Sequence, residues 1–238
     1  MKILVSPFAF NEGEKIIQTI KRFPSDYNKY YDLIICDDGS TDGSINKLEN
    51  KNISILKNGS NQGIGYMMKI FFDYAIKNKY DIIVIMAGND KDRADEIDRL
   101  INPIINDEAD FVQGSRYLKG GYYDKMPLYR QLATRFLHPL IFSLITRQWI
   151  TDSTNGFRAI RTSILKNKGL NFKQKWLDEY ELEPYMFYQS IKLKYRCIEV
   201  PVSKIYPPKE LGYTKMKPIF GWWSILKPLI YLPLRIKK

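Results

Sequence analysis

The 238-residue sequence has little of what marks several common protein classes. It holds only two cysteines, Cys36 and Cys197, both in apolar runs, so we expect no disulfide framework and favour a reducing compartment. Its one histidine, His138, precedes a proline in an apolar stretch and is not expected to be catalytic. Met1 leads into a strand-like run and not into a signal peptide. The sequence also lacks internal repeats and low-complexity linkers, so its length predicts one large or two small globular domains.

Acidic residues are too few to balance the basic ones, and the net charge is +11. This charge predicts attraction to an acidic partner. The basic residues are spread along the chain, and neither zinc-ligand spacing nor an aromatic-basic recognition motif accompanies them, so we expect no nucleic-acid partner. An anionic membrane surface or a phosphate-bearing substrate fits the charge better.

The central feature of the sequence is an apolar run at 33–36 that ends in Asp37-Asp38-Gly39-Ser40-Thr41-Asp42-Gly43. It predicts a buried parallel strand, a turn, and a helix capped by Ser40 or Thr41 that runs through Leu48. Ligands of open α/β sheets bind beyond the carboxyl ends of the strands, where this turn lies. The G-x-G-x-x-G motif of dinucleotide folds is absent. The residues alone leave two interpretations open. One is a nucleotide-binding turn whose carboxylates accept hydrogen bonds from the ligand. The other is a solvated acidic turn without a ligand.

Strand-like and helix-like segments alternate along most of the chain, which predicts an α/β fold with a mostly parallel central sheet flanked by helices. The predicted strands are 2–6, 33–36, 53–56, 82–86, 111–113 and 197–202. Helical spacing of apolar residues predicts helices between the first five strands, along 128–149 and along 180–193. We expect a domain at 1–205 and a distinct C-terminal segment at 206–238.

The C-terminal segment, residues 206–238, is basic and aromatic, with Glu210 as its only acid. Lys227, Pro228 and Pro233 interrupt its apolar run too often for a membrane span. An amphipathic membrane-interface segment is favoured, with Trp222 and Trp223 at headgroup depth and lysines against anionic lipid. The alternative is an ordinary helix packed on the domain.

Six motifs, taken together and in their order along the chain, resemble those of one enzyme family. They are Phe10-Asn11-Glu12, Asp37 to Gly43, Asn61-Gln62-Gly63-Ile64-Gly65, the turn after Met86, Gly114-Ser115-Arg116-Tyr117, and Asn155-Gly156-Phe157-Arg158. Residues 1–205 resemble the family-two glycosyltransferases of GT-A fold, in particular the dolichol-phosphate mannosyltransferase-like branch. The resemblance implies a GT-A type nucleotide-binding fold and transfer of a sugar, with inversion, from a nucleotide-sugar to a lipid-linked acceptor, by a cytoplasmic protein peripheral to the membrane. The alternatives are transfer to a saccharide hydroxyl in surface polysaccharide or glycolipid synthesis, and a nucleotide-sugar-binding protein without turnover.

The resemblance also implies roles for individual residues. The nucleotide-sugar would be bound by Ala9, Phe10, Glu12, Asp37, Asp38, Asn61 and Gly63. Arg116 and Arg130 would hold the phosphate of a polyprenyl-phosphate acceptor, since guanidinium groups suit phosphate. Asp152 would be the general base if the acceptor is a hydroxyl, or an organiser of metal or acceptor if the acceptor is a phosphate, which is already an oxyanion. Glu183 is expected to be structural.

The metal-binding motif is where the sequence departs from the family pattern. The family carries Asp-x-Asp after the fourth strand, whereas this chain has Ala87 and Asn89 there. Asn89, Asp90 and Asp92 are therefore the predicted ligands of Mg²⁺ or Mn²⁺, because hard cations need few protein oxygens when phosphates supply the others. The competing hypothesis is that Lys91 neutralises the diphosphate directly. A third is that activity is lost.

Overall fold

The computed structural model describes residues 1–49, 53–208, 210 and 218–237. Nine strands lie in the described residues: β1 (Ile3–Ala9), β2 (Asp32–Asp37), β3 (Ser54–Lys57), β4 (Ile82–Ala87), β5 (Phe111–Ser115), β6 (Tyr122–Asp124), β7 (Arg158–Arg161), β8 (Cys197–Pro201) and β9 (Ser203–Ile205). The α-helices are α1 (Glu14–Lys21), α2 (Asn46–Glu49), α3 (Ile64–Lys77), α4 (Ile97–Ile105), α5 (Leu128–Leu132), α6 (His138–Thr146), α7 (Leu182–Lys192) and α8 (Pro218–Tyr231). A π-helical turn, Ala133–Leu137, joins α5 to α6.

Seven strands form one sheet in the order β3-β2-β1-β4-β7-β5-β8, and β6 pairs with β9 in a separate two-stranded sheet. Six strands of the large sheet run in the same direction, and β7 runs antiparallel between β4 and β5. Arg158, the first residue of β7, is paired with Ile85 of β4 and Gln113 of β5. The loop that precedes β7 therefore lies at the edge where the parallel strands end, which is the ligand-binding edge of such sheets.

Apolar residues cover both faces of the sheet, as expected for parallel strands between helices. Phe71 and Phe72 of α3 and Phe187 of α7 belong to the core on one face. Ile97 and Leu100 of α4 belong to the core on the other face. Each fully buried side chain of this size contributes about 1.5–3 kcal/mol of transfer free energy, so both helical layers are strongly held to the sheet.

The predicted α/β architecture is confirmed, with local differences in the extent of one helix and in the short strands β6, β7 and β9, which were not predicted. The helix predicted from Ser40 or Thr41 is wrong in extent, because α2 covers only Asn46–Glu49. The Ser40 hydroxyl donates to Asp37 Oδ1 and the Thr41 N–H donates to Asn11 Oδ1, so these residues stabilise the turn and do not cap a helix. Strand β7 was not predicted, because Arg-Ala-Ile-Arg is short and polar at both ends.

The C-terminal helix α8 packs against α6 and α7. Its Leu229 is buried, as is Leu232 just beyond it, and Lys227 Nζ lies 2.5 Å from Glu181 Oε1. The distinct character expected for 206–238 stays a prediction, and the lysines at 209, 215, 217 and 238 lie outside the described residues. None of the helices within the described ranges is long and apolar enough to cross a membrane.

Glycine at position 65 is required by packing at the start of α3. A Cβ atom there would come too close to the backbone oxygens of Leu177 and Glu179. We expect Gly65→Ala to lower the free energy of unfolding by about 1–3 kcal/mol, the usual cost of overpacking. Urea denaturation checks this against Gly59→Ala, whose Cβ would meet no atom within 4 Å. Equal stability of the two variants would contradict the packing argument.

Candidate active site

A cavity of about 900 Å³ lies at the carboxyl edge of the sheet. Its walls come from the segments that follow β1, β2 and β4, the start of α3, the residues after β5, strand β9 and helix α8. Because these segments are far apart in the chain, the cavity exists only in the folded protein.

The cavity brings together six of the seven residues predicted to bind the nucleotide-sugar: Ala9, Phe10, Glu12, Asp38, Asn61 and Gly63. Asp37 is fully buried and is not among the lining residues. Its Oδ1 accepts hydrogen bonds from the N–H and the hydroxyl of Ser40. Its Oδ2 has no hydrogen-bond partner among the described residues. In this structure Asp37 therefore shapes the turn beneath the cavity.

Asp38 reaches across the cavity floor to the start of α3. Its carboxylate accepts hydrogen bonds from the N–H groups of Gln62 at 3.1 Å and Gly63 at 2.9 Å, and from the Asn58 side chain at 3.1 Å. Asp38 is 4% exposed, so its carboxylate is not part of a solvated acidic turn. The side chain joins the β2 turn to the loop that carries Asn61.

The other end of the cavity is basic and contains a buried ion pair. Arg116 Nε lies 2.6 Å from Asp152 Oδ2, and Arg116 Nη2 lies 2.7 Å from Asp152 Oδ1. Asp152 is 0% exposed, and its N–H donates to Glu199 Oε1 at 2.7 Å. Arg116 lines the cavity, whereas Asp152 lies behind it. Burial acts to lower the pKa of Arg116, but the charge and hydrogen bonds of Asp152 more than offset this effect and raise it.

Tyr206 lies between two further cations that line the cavity. Lys91 Nζ is 4.6 Å from the centre of the Tyr206 ring, and the guanidinium carbon of Arg130 is 5.9 Å from it. Arg130 Nη1 also donates to the Tyr206 hydroxyl at 3.3 Å. Burial, together with the positive charges of Lys204 and Arg130, lowers the pKa of Lys91 to about 7. This region therefore favours an anionic ligand.

The structure does not bring the three predicted metal ligands together. Asn89 lines the cavity, and its Oδ1 is buried without a hydrogen-bond partner among the described residues. Asp90 has a positive φ and binds Arg22, with Asp90 Oδ1 2.5 Å from Arg22 Nε. Asp92 is fully buried, and it accepts hydrogen bonds from the Ala87 N–H at 2.8 Å and from Lys204 Nζ at 2.6 Å.

No group of three or more His, Cys, Asp or Glu residues is placed to hold a metal ion in the described part of the chain. At the positions of the family's Asp-x-Asp the protein offers one amide oxygen, that of Asn89. Divalent cations of the Mg²⁺ type are usually held by carboxylates. The residues present therefore do not fit a carboxylate-held divalent cation.

Three cavity residues that the sequence did not indicate are Lys204, Tyr206 and Trp222. Lys204 belongs to β9, which the sequence analysis did not predict, and Trp222 faces the cavity where a membrane contact was expected. No local spacing marks these residues, since only the tertiary fold brings them to the sheet edge. Glu183 also lines the cavity, and its Oε2 lies 3.8 Å from Arg158 Nη2, so the structural role expected of it stays a prediction.

Comparison with known proteins agrees with this architecture. A model of the family Glycosyl transferase family 2 matches residues 8–169. The UDP-N-acetylglucosamine–dolichyl-phosphate N-acetylglucosaminyltransferase of Methanococcus voltae is 29% identical over 215 residues, 83% of this chain and 83% of that protein. Polyprenol monophosphomannose synthase of Mycolicibacterium smegmatis is 25% identical over 190 residues, 77% of this chain and 69% of that protein.

Solved structures of similar fold include glucosyl-3-phosphoglycerate synthase from Mycobacterium tuberculosis in complex with Mn²⁺, uridine diphosphate and phosphoglyceric acid. It has a TM-score of 0.68 and 16% identity, over 96% of this chain and 78% of that chain. The fold is thus that of the GT-A glycosyltransferases. The chain belongs to glycosyl transferase family 2 and is a glycosyltransferase.

The hydrogen bonds of Asp38 predict a contribution of this residue to stability. Asp38→Ala removes the acceptor of the Gln62 and Gly63 N–H groups, so we expect a loss of about 1–3 kcal/mol in unfolding free energy, because a buried donor is left without a partner. Urea denaturation measures this loss. Asp73→Ala is the control, because Asp73 forms an exposed ion pair with Lys173 and such pairs contribute about 0–1 kcal/mol. An Asp38→Ala protein with the same unfolding free energy as the unchanged protein would contradict this role.

Proposed function

We propose that the chain transfers a sugar from a nucleoside diphosphate sugar to the phosphate of a polyprenyl-phosphate acceptor, with inversion at the anomeric carbon, at the cytoplasmic face of a membrane. One observation carries the proposal. A single cavity has Asp38, Asn61 and Gly63 at one end and Arg116 and Arg130 at the other. The first end suits the hydroxyl and N–H donors of a nucleoside, and the second suits a phosphate.

The compared proteins support both ends of this proposal. The relatives from Methanococcus voltae and Mycolicibacterium smegmatis are named for dolichyl-phosphate and polyprenol acceptors, which points to lipid glycoconjugate synthesis. The fold neighbour from Mycobacterium tuberculosis is described with uridine diphosphate and with phosphoglyceric acid. These acceptors differ in size but share a phosphate group.

The ion pair of Asp152 favours a phosphate acceptor over a saccharide hydroxyl. A hydroxyl acceptor needs a base within hydrogen-bond reach to remove its proton. Both carboxylate oxygens of Asp152 accept hydrogen bonds from Arg116, and the side chain is fully buried behind that arginine. A phosphate oxygen is already anionic and needs no base. In the proposed reaction Asp152 orients Arg116.

The proposed transfer is a single displacement. An oxygen of the acceptor phosphate attacks the anomeric carbon as the bond from that carbon to the diphosphate oxygen breaks, and the electron pair stays on the diphosphate. Arg116 and Arg130 hold the attacking phosphate, and positive charge elsewhere in the cavity stabilises the leaving diphosphate. Positioning and electrostatic stabilisation then supply most of the rate, since no proton has to be moved.

The cavity mouth adjoins an exposed apolar surface, which supports a lipid-linked acceptor. Phe220 and Trp223 of α8 line the cavity and are 75% and 46% exposed. Helix α6, against which α8 packs, and the residues before it expose further large apolar side chains: Leu128, Tyr129, Leu132, Phe136, Leu137, Leu140 and Leu144. Exposed apolar patches of this kind mark interaction or membrane sites. We propose that both helices contact the bilayer, with Arg130 and Arg135 near the headgroups.

A direct assay tests the acceptor class. Purified protein is incubated with labelled UDP- or GDP-sugars and either polyprenyl phosphate or an oligosaccharide, and label is measured in the lipid and water phases. We expect label in the lipid, and we expect Arg130→Gln to lower that rate about tenfold to a hundredfold, the effect of losing a charge-assisted contact. Arg99→Gln on α4 is the control. Label only in the oligosaccharide would favour the saccharide acceptor, and no transfer to either would favour a binding protein.

The membrane contact has its own test. We expect Leu140→Glu with Leu144→Glu to reduce sedimentation with anionic liposomes several-fold, because two apolar contacts are lost and two like charges are added. Ile105→Glu is the matched control, since Ile105 is an exposed apolar residue on α4. Equal sedimentation of both variants and the unchanged protein would contradict the contact. Deleting 206–238 is a poorer test, because it removes Leu229 and Leu232 from the core.

A further inference from the structure

Lys91 has the position and the surroundings of a group that binds an anion. It follows the segment where family members carry Asp-x-Asp, it lines the cavity, and it is only 5% exposed. The Tyr206 ring lies 4.6 Å from its Nζ. Because Lys91 is buried and its ammonium lies against an aromatic ring, its side chain is a fixed part of the cavity wall.

Strand β9 holds Lys91 in place and adds a second lysine. The Ile205 N–H donates to the backbone oxygen of Lys91 at 3.0 Å, and Asp92 pairs with Lys204 as an isolated antiparallel bridge. Lys204 Nζ lies 2.6 Å from Asp92 Oδ1 and 3.0 Å from Asn155 Oδ1. The loop after β4 is therefore held by the backbone hydrogen bond from Ile205 and by the contact between Lys204 and Asp92.

Three carboxylates of this region are engaged with other cations. Asp92 binds Lys204, and Asp152 binds Arg116. Glu12 Oε2 lies 2.8 Å from Lys15 Nζ. Lys91, Lys204 and Arg130 line the same cavity as Asn89 and attract a diphosphate, while Glu179, Glu181 and Glu183 line it as well.

We propose that Lys91 takes the role that a divalent cation has in relatives with Asp-x-Asp, so that this chain binds a nucleoside diphosphate without metal. The inference rests on the proposed function and deepens it. When the bond between the anomeric carbon and the diphosphate oxygen breaks, that oxygen keeps the electron pair, and the Lys91 ammonium donates a hydrogen bond to the diphosphate. Lys204 is a positioning residue, which holds the Asp92 carboxylate through a 2.6 Å contact.

Calorimetric titration of the full chain with UDP and with GDP, in EDTA and in Mn²⁺, tests the inference. We expect the tighter of the two nucleotides to bind with dissociation constants that agree within about twofold in EDTA and Mn²⁺, because the protein supplies the positive charge. Binding that is lost in EDTA and restored by Mn²⁺ overturns this inference and leaves the proposed function standing. If neither nucleotide binds under either condition, both proposals fail.

Substitutions at position 91 sharpen the test. We expect Lys91→Met to weaken nucleotide binding about tenfold or more in EDTA, the effect of losing one charge-assisted hydrogen bond, while Lys91→Arg retains most of the affinity. Lys77→Met on the exposed end of α3 is the control, and thermal unfolding of each variant shows that it is folded. Unchanged affinity of folded Lys91→Met contradicts the assignment.

A variant with the acidic motif shows directly whether Lys91 or a metal ion supplies the positive charge for nucleotide binding. The triple substitution Ala87→Asp, Asn89→Asp and Lys91→Gln restores the acidic motif and removes the cation. We expect it to bind nucleotide at least about tenfold more tightly in Mn²⁺ than in EDTA, because carboxylates and phosphates then share the metal. Should Lys91→Gln alone show the same dependence on Mn²⁺, a metal already sits in the native site and the inference is wrong.

Discussion

The antiparallel direction of β7 is the constraint on which the candidate site depends. Because β7 runs against β4 and β5, the chain before it returns to the edge where the parallel strands end. Asp152 and Asn155 reach the cavity region in this way, although they lie far along the chain from Asp38 and Asn89. Arg158 at the start of β7 is 1% exposed and donates to the Asn155 backbone oxygen at 2.5 Å, which fixes the loop.

Two buried ion pairs then set the geometry of the cavity wall. Arg116 with Asp152 and Lys204 with Asp92 each lie at the carboxyl edge of the sheet. Buried pairs of this kind contribute little net stability, because desolvation cancels most of the attraction, but the loss of one partner costs about 3–5 kcal/mol. Their effect is to fix orientation. One holds a guanidinium toward the proposed acceptor end, and the other holds a carboxylate away from the proposed donor end.

The sequence predicted the parts of the molecule that depend on local pattern. The apolar runs of β1, β2 and β4 identified the sheet. The ordered motifs identified the family and six of the seven predicted nucleotide-sugar residues that line the cavity. The orientation of side chains was not predictable in the same way. Asp90 and Asp92 have the spacing of a metal motif, yet one turns to Arg22 and the other to Lys204, because the strand pairing with β9 draws the loop inward. Lys204 and Trp222 were missed because only tertiary contacts bring them to the site.

In the proposed function one cavity receives two phosphate groups, the donor diphosphate near Lys91 and the acceptor phosphate near Arg116 and Arg130. A crystal structure of the protein with a nucleoside diphosphate and a short-chain polyprenyl phosphate, grown in EDTA, tests it most directly. We expect a diphosphate oxygen at hydrogen-bond distance from Lys91 Nζ, about 2.7–3.2 Å, and the lipid phosphate bound by the arginines with its chain leaving beside Phe220. A lipid phosphate bound outside the cavity, or a diphosphate remote from Lys91, would contradict it.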